Sequence, residues 1–239
     1  MNEVDTTAEP REYWQRNYAD GFHFGQGTED ILATLMQVPP VNSWVDLGSG
    51  SESMLWAIGL RAHKLVAVDA DPHRLEILRQ FTATGQPRGA HTTALRLCGR
   101  TRPDAFSTRC QSLAALVHAD CLTGPLPSDP HLVAGSFHLV TQFGLLGLCH
   151  DAEHFTTAFA QFHRLAIPGG WTAGANWVAR HPEGRVELTE QLYRTAATQA
   201  GVRLLLLHRI PSTDPDFPAV WTYVGQTGRT PHAPRPISR

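Results

Sequence analysis

The chain has 239 residues, 42% of them hydrophobic and 18% charged, with a formal net charge of −2. That balance fits one globular unit with a sizeable core and offers no field for a polyanion, so no nucleic-acid partner is expected. No apolar run approaches the ~18–20 residues of a membrane span, and MNEVDTTAEPREY lacks the basic and apolar segments of a signal peptide; a soluble, cytoplasmic protein with no membrane partner is expected.

Cys98, Cys110, Cys121 and Cys149 form no C-x-x-C pair, which fits neither a disulfide framework nor a zinc site, so four reduced thiols and no metal are expected. Arginines crowd residues 88–109, and Arg229, Arg235 and Arg239 sit in a Pro-rich tail. Composition reads the first stretch as an irregular solvated loop and the tail, 228–239, as disordered.

In chain order, an amphipathic stretch over 11–18 precedes a helix from Thr28, whose Glu29 and Asp30 suit the positive end of the helix dipole and which Pro39 and Pro40 terminate. Strands are expected at 43–47, 64–68, 113–119, 137–142 and 171–177. Helices are expected at 54–60, 72–83, 153–165 and 185–200, with Pro72 just inside the start of the second. Residues 202–208 and 219–225 read as an antiparallel hairpin across a Pro-rich loop. Strands alternating with helices and then a hairpin predict a mostly parallel α/β sheet covered on both faces.

The chemistry concentrates in WVDLGSGS, residues 44–51, where a buried strand breaks into a Gly48-Ser49-Gly50 turn before a helix. Glycines there permit a tight turn and close approach to a nucleotide-type ligand. A dinucleotide fingerprint needs a third glycine three positions after Gly50, but Ser53 stands there, and no Gly-Lys-Ser/Thr follows as in a P-loop. Asp46 adds a negative charge before the turn, unfavourable for phosphates and suited to a cation. Asp69, at the end of the second strand, is placed to accept protons from both ribose hydroxyls, and Asp120, after the third, to accept from an adenine amino group. Together these features imply an aminoacyl nucleoside that carries an ammonium and a sulfonium.

On these residues, and on Pro168-Gly169-Gly170 before the fifth strand, the chain resembles the class I S-adenosylmethionine-dependent methyltransferases. PREYWQRNY, DLGSGS, VDAD and HADC resemble more closely the nicotinamide, phenylethanolamine and thioether methyltransferases, over residues 10–227. The resemblance implies a Rossmann-like, mostly parallel seven-stranded sheet with helices on both faces and a C-terminal antiparallel hairpin. It divides the chain into an N-terminal helical lid (1–40), a catalytic domain (41–227) and a tail. It also implies S-adenosyl-L-methionine as cofactor, with S-adenosyl-L-homocysteine as product.

By the same resemblance, Tyr13, Tyr18, Gly48, Ser49, Gly50, Asp69, Arg74, Asp120, Cys121 and Gln142 contact the cofactor, and Tyr13, Phe143, Asn176 and Trp177 the substrate. Asn176 departs from the family, which commonly carries there a carboxylate for an amine or amide. A neutral or anionic acceptor becomes the expectation: a heteroaromatic nitrogen, hydroxyl, thiol or carboxylate. His23 and His150 are candidate bases, and Trp177 and Trp221 candidate aromatic walls. Rival readings are a catalytically silent scaffold and an RNA methyltransferase using the arginines of 88–109; a monomer or homodimer fits any of them.

Overall fold

A computed structural model describes residues 8–126 and 128–228. Its centre is a seven-stranded sheet in the order β3-β2-β1-β4-β5-β7-β6. The strands are β1 (Val41–Leu47), β2 (Ala62–Asp69), β3 (Leu113–His118), β4 (Phe137–Phe143), β5 (Ala166–Val178), β6 (Val202–Pro211) and β7 (Ala219–Thr227). Strands β1 to β5 run parallel, while β7 pairs antiparallel with both β5 and β6. The expected α/β sheet and hairpin are therefore present, with β7 threaded between its two partners.

Period-two alternation splits the sheet's side chains between two cores. Trp44 enters one with Ile31, Leu55, Trp56, Phe81 and Phe106. Val45 and Leu47, on the opposite face, enter the other with Phe155, Phe159, Phe162 and Tyr193. Helices α1 (Ala8–Trp14), α2 (Thr28–Leu35), α3 (Ser53–Gly59), α4 (Pro72–Thr84), α5 (Gly89–Leu97) and α6 (Ala105–Gln111) precede β3 in the chain; α7 (Ala152–His163) and α8 (Glu190–Gln199) cover the second core. A π-helical turn, Gln15–Ala19, continues α1.

Three expectations are corrected. The arginine-rich segment is not irregular: Ala90, His91 and Ala94 make a short buried stripe on α5, and Phe106 and Cys110 one on α6. Its arginines have local tasks, Arg100 donating to the Ile58 and Gly59 carbonyls at the end of α3 and Arg102 pairing with Asp104. The helix expected from 185 begins only at Glu190, capped by the Thr189 hydroxyl, because buried Val186 and Leu188 alternate with exposed neighbours in extended backbone. Pro168-Gly169-Gly170 lies inside β5 rather than before it, where Gly169 at φ +76° accompanies a register shift against β4. The tail lies outside the described residues except Gly228.

All four cysteines are free and buried, and burial pushes their thiols up, Cys110 to about 11 and Cys121 and Cys149 to about 12. These groups stay protonated and unreactive at neutral pH. Among the described residues no helix is long and apolar enough to cross a membrane, and no cluster of His, Cys, Asp and Glu could hold a metal ion.

Candidate functional site

Strand order reverses between β1 and β4, which opens a crevice at their carboxyl ends. The turn after β1 occupies it. Gly48 (φ +64°) and Gly50 (φ +53°) both take the left-handed conformation, and a Cβ on Gly48 would sit 2.9 Å from the Leu145 side chain, so glycine is required there twice over. Ser49 N–H donates to the Val68 carbonyl and Gly50 N–H to Asp69 Oδ2 at 2.7 Å. Asp69 Oδ1 also accepts from Asp71 N–H at 2.9 Å. One carboxylate thus ties the turn after β1 to the turn after β2. Two amides that could have cradled a phosphate are already committed, and an acid stands beside them.

Around this turn lies a cavity of about 830 Å³, large enough for a nucleoside with a small second ligand. Tyr13, Tyr18, Gly48, Ser49, Gly50, Asp69, Arg74, Asp120, Cys121, Phe143 and Trp177 all line it. Tyr13 and Tyr18 meet edge to face at 6.1 Å, and the Arg74 guanidinium lies 5.6 Å over the Tyr13 ring. Burial raises the Tyr18 hydroxyl well above the usual phenol range, so it remains a donor. Asp120 Oδ1 accepts from the Leu122 and Thr123 amides, which shapes the loop after β3.

Gln142 and Asn176 are not brought to this wall. Each is fully buried one residue before a residue that lines the cavity, and neighbouring strand residues point to opposite faces. Gln142 Oε1 accepts from Leu146 N–H; Asn176 Oδ1 accepts from Gly147 N–H while its Nδ2 donates to the Tyr193 hydroxyl at 2.7 Å. Asn176 both accepts and donates, which a carboxylate in that place could not do. Both amides brace the turn at Leu145–Leu148, which follows β4.

Asp46 is likewise absent from the wall. Its carboxyl, fully buried, accepts from Ser53 Oγ at 2.6 Å and Thr141 Oγ1 at 2.7 Å, and the Thr141 oxygen accepts from Trp44 Nε1. The group joins β1, β4 and the start of α3. Burial raises it from 3.8 to about 6 despite the two hydroxyl donors. Between those values the folded state keeps a proton that the unfolded chain has released. Stability from this group is therefore greatest below about pH 4, falls as pH rises towards 6 and then levels off. Asp46→Asn can accept from Thr141 and donate to Ser53. It is expected to remove this dependence, so that its stability relative to the wild type rises by up to about 3 kcal/mol between pH 4 and 7. Urea unfolding across that range measures the difference, and parallel curves would refute the assignment.

His150 and Trp221 also lie elsewhere. His150 contacts His154 and Asp151 at the start of α7 and lines a separate cavity of about 920 Å³, away from the strand ends. Trp221 is core, its Nε1 donating to the Leu188 carbonyl. His23 does line the strand-end cavity, with Nε2 3.2 Å from the Arg16 carbonyl; because a carbonyl only accepts, Nδ1 is left to take a proton.

No protein-family model matches the chain, and no curated protein matches it. Solved structures do. The N-methyltransferase NodS from Bradyrhizobium japonicum WM9, in complex with S-adenosyl-L-homocysteine, is 14% identical over 93% of this chain and 99% of its own, at a TM-score of 0.58. A chain of the complex containing the Haloferax volcanii Trm112 methyltransferase activator is 16% identical over 95% and 96%, at 0.61. The [4+2]-cyclase SpnF is 13% identical over 90% and 87%, at 0.57. The fold is that of the class I methyltransferases.

Within this methyltransferase fold, several cavity residues escaped the sequence reading. Trp56 of α3 stacks on Phe143 at 4.4 Å, and Phe22, Arg185, Asp214 and Phe217 complete the outer wall. Trp56 belongs to a helix in which every residue is buried, so nothing in its pattern separates a ligand wall from core. Glu52, two positions after Gly50, also faces the cavity; an acid at a helix start reads as a solvated dipole partner, yet here it is 5% exposed.

Proposed function

We propose that this chain is an S-adenosyl-L-methionine-dependent methyltransferase acting on a small neutral or anionic acceptor: a heteroaromatic nitrogen, hydroxyl, thiol or carboxylate. The observation that carries this reading is the Asp69 carboxylate bridging the left-handed glycine turn after β1 and the turn after β2 at the strand ends. It offers ribose an acceptor and phosphate no cradle. The residues fit the cofactor: Gly50 has no Cβ to intrude, Asp69 and Asp120 face the nucleoside side, and Tyr13 and Tyr18 close over the remainder.

When bound, the cofactor supplies an electrophilic methyl group on a sulfonium and leaves as S-adenosyl-L-homocysteine. The chain's own contribution is orientation and exclusion of water, which for a two-reactant displacement is worth ~7 kcal/mol or more. Trp56, Phe143 and Trp177 offer flat apolar walls to an aromatic acceptor. Residues 13–28 serve as the lid, and His23 takes the proton from an acceptor that must lose one.

Purified chain is expected to bind S-adenosyl-L-homocysteine by calorimetry and to transfer a labelled methyl group to a member of a panel of heterocycles, phenols, thiols and carboxylates. Binding without transfer to any panel member would overturn the substrate class and favour a silent scaffold. Absence of binding would overturn the cofactor.

A further inference from the structure

The most unusual group in the cavity is Glu52. Its side chain lines the space, yet neither carboxyl oxygen is exposed and neither has a hydrogen-bond partner. Its closest charged or titratable neighbour on α5, His91, cannot supply one. His91 Nδ1 lies 3.1 Å from the Arg88 carbonyl and must carry the hydrogen, which leaves Nε2 a bare lone pair 3.7 Å from Glu52 and itself unpartnered. Burial lowers His91 to about 4, so it brings no positive charge at neutral pH. Tyr18 also lies close, and the Ser51 hydroxyl, too far for a well-formed hydrogen bond, offsets a little of the burial; neither brings a charge. A buried carboxyl without a partner costs stability and gives nothing back to the fold, which marks it as held for a ligand.

The sign of that ligand follows from a second charged group beside Gly50. Arg74 reaches over the turn, its Nη1 3.9 Å from where a Gly50 Cβ would be, while its ion pair to Asp71 runs through Nε at 3.4 Å. The wall therefore presents both a guanidinium and a carboxyl, each close enough to Tyr18 to act on its hydroxyl. A zwitterion, carboxylate towards Arg74 and ammonium towards Glu52, complements both. We propose that Glu52 is the receptor for the α-ammonium group of the cofactor's aminoacyl part, and that it selects ligands bearing that group. This rests on the methyltransferase reading above.

The pair of ligands that isolates the contact is S-adenosyl-L-homocysteine and its deamino analogue, which keeps the thioether and carboxylate and carries hydrogen in place of the amine. The full wild-type chain is expected to bind the parent about ten- to a hundredfold more tightly, the range for a hydrogen bond between charged groups. In Glu52→Gln that preference is expected to shrink at least about tenfold, with the analogue's own affinity nearly unchanged. Burial holds Glu52 well above the ordinary carboxylate range.

Equal affinity of the wild type for both ligands overturns the assignment even if Glu52→Gln fails to fold. An undiminished preference in a folded Glu52→Gln does the same. A wild type that binds neither ligand overturns both this assignment and the cofactor reading beneath it.

Discussion

Asp69→Ala is expected to lower affinity for S-adenosyl-L-homocysteine about a hundredfold, the loss of two hydrogen bonds to a carboxylate. The same change deprives the Gly50 and Asp71 amides of their acceptor, so a stability loss of about 1–2 kcal/mol should accompany it. Asp69→Asn separates the two effects. It retains one acceptor oxygen and the side-chain volume, and should lose roughly tenfold in affinity by the same reckoning. Calorimetric titration beside thermal unfolding reads both quantities. Affinity within twofold of the wild type in a folded Asp69→Ala would mean that this carboxylate only fastens the turns and does not hold ribose.

Gly89→Ala should act on the other side of the cavity. At Gly89 (φ +29°) an added Cβ would lie 2.3 Å from the Ala19 carbonyl oxygen and 2.8 Å from the Gly21 nitrogen, both backbone atoms that no rotamer change can move aside. Restoring van der Waals distance requires the segment after α1 to shift by roughly 1 Å. Overpacking of this kind costs about 1–3 kcal/mol. Because the displaced segment carries Tyr18, the expected result is at least a tenfold loss of cofactor affinity, on the scale of one to two kcal/mol. The sheet should stay intact, and proteolysis within residues 11–21 should quicken. Cofactor affinity equal to the wild type's would show that binding does not depend on a seated lid.

The strand-end motifs were legible in the sequence because three constraints coincide there: strands whose second halves are buried, glycines where φ is positive, and an acid at the end of β2 and another just after β3. Of the strand-end pairs Gln142 with Phe143 and Asn176 with Trp177, only the second member of each lines the cavity. Strand ends were treated as though both neighbours faced the ligand, whereas the pleat sends Phe143 and Trp177 to the cavity and the two amides to the opposite face. Helices α5 and α6 were illegible because they are short and their buried stripes rest on Ala90, His91 and Ala94 in one and on Phe106 and Cys110 alone in the other, weak periodic signals among arginines. Glu52 could not be read as buried from any local pattern, since its burial comes from α5 and the lid, elements remote in sequence.

Strand β7 follows β6 in the chain but lies inside it, hydrogen-bonded to β5 on one side. While the polypeptide emerges from a ribosome, β6 therefore has no place to dock, and the outer edge of β5 stays open, until residues 219–227 have been made. The lid waits on the same event: Val220 of β7 would be only 2.9 Å from a Cβ at Gly27, and Gly25 accepts from the Thr213 amide in the loop before β7. The glycine turn and its acids precede these residues in the chain and can form first, but the chamber over them closes only when Thr213 and Val220 come back to meet Gly25 and Gly27.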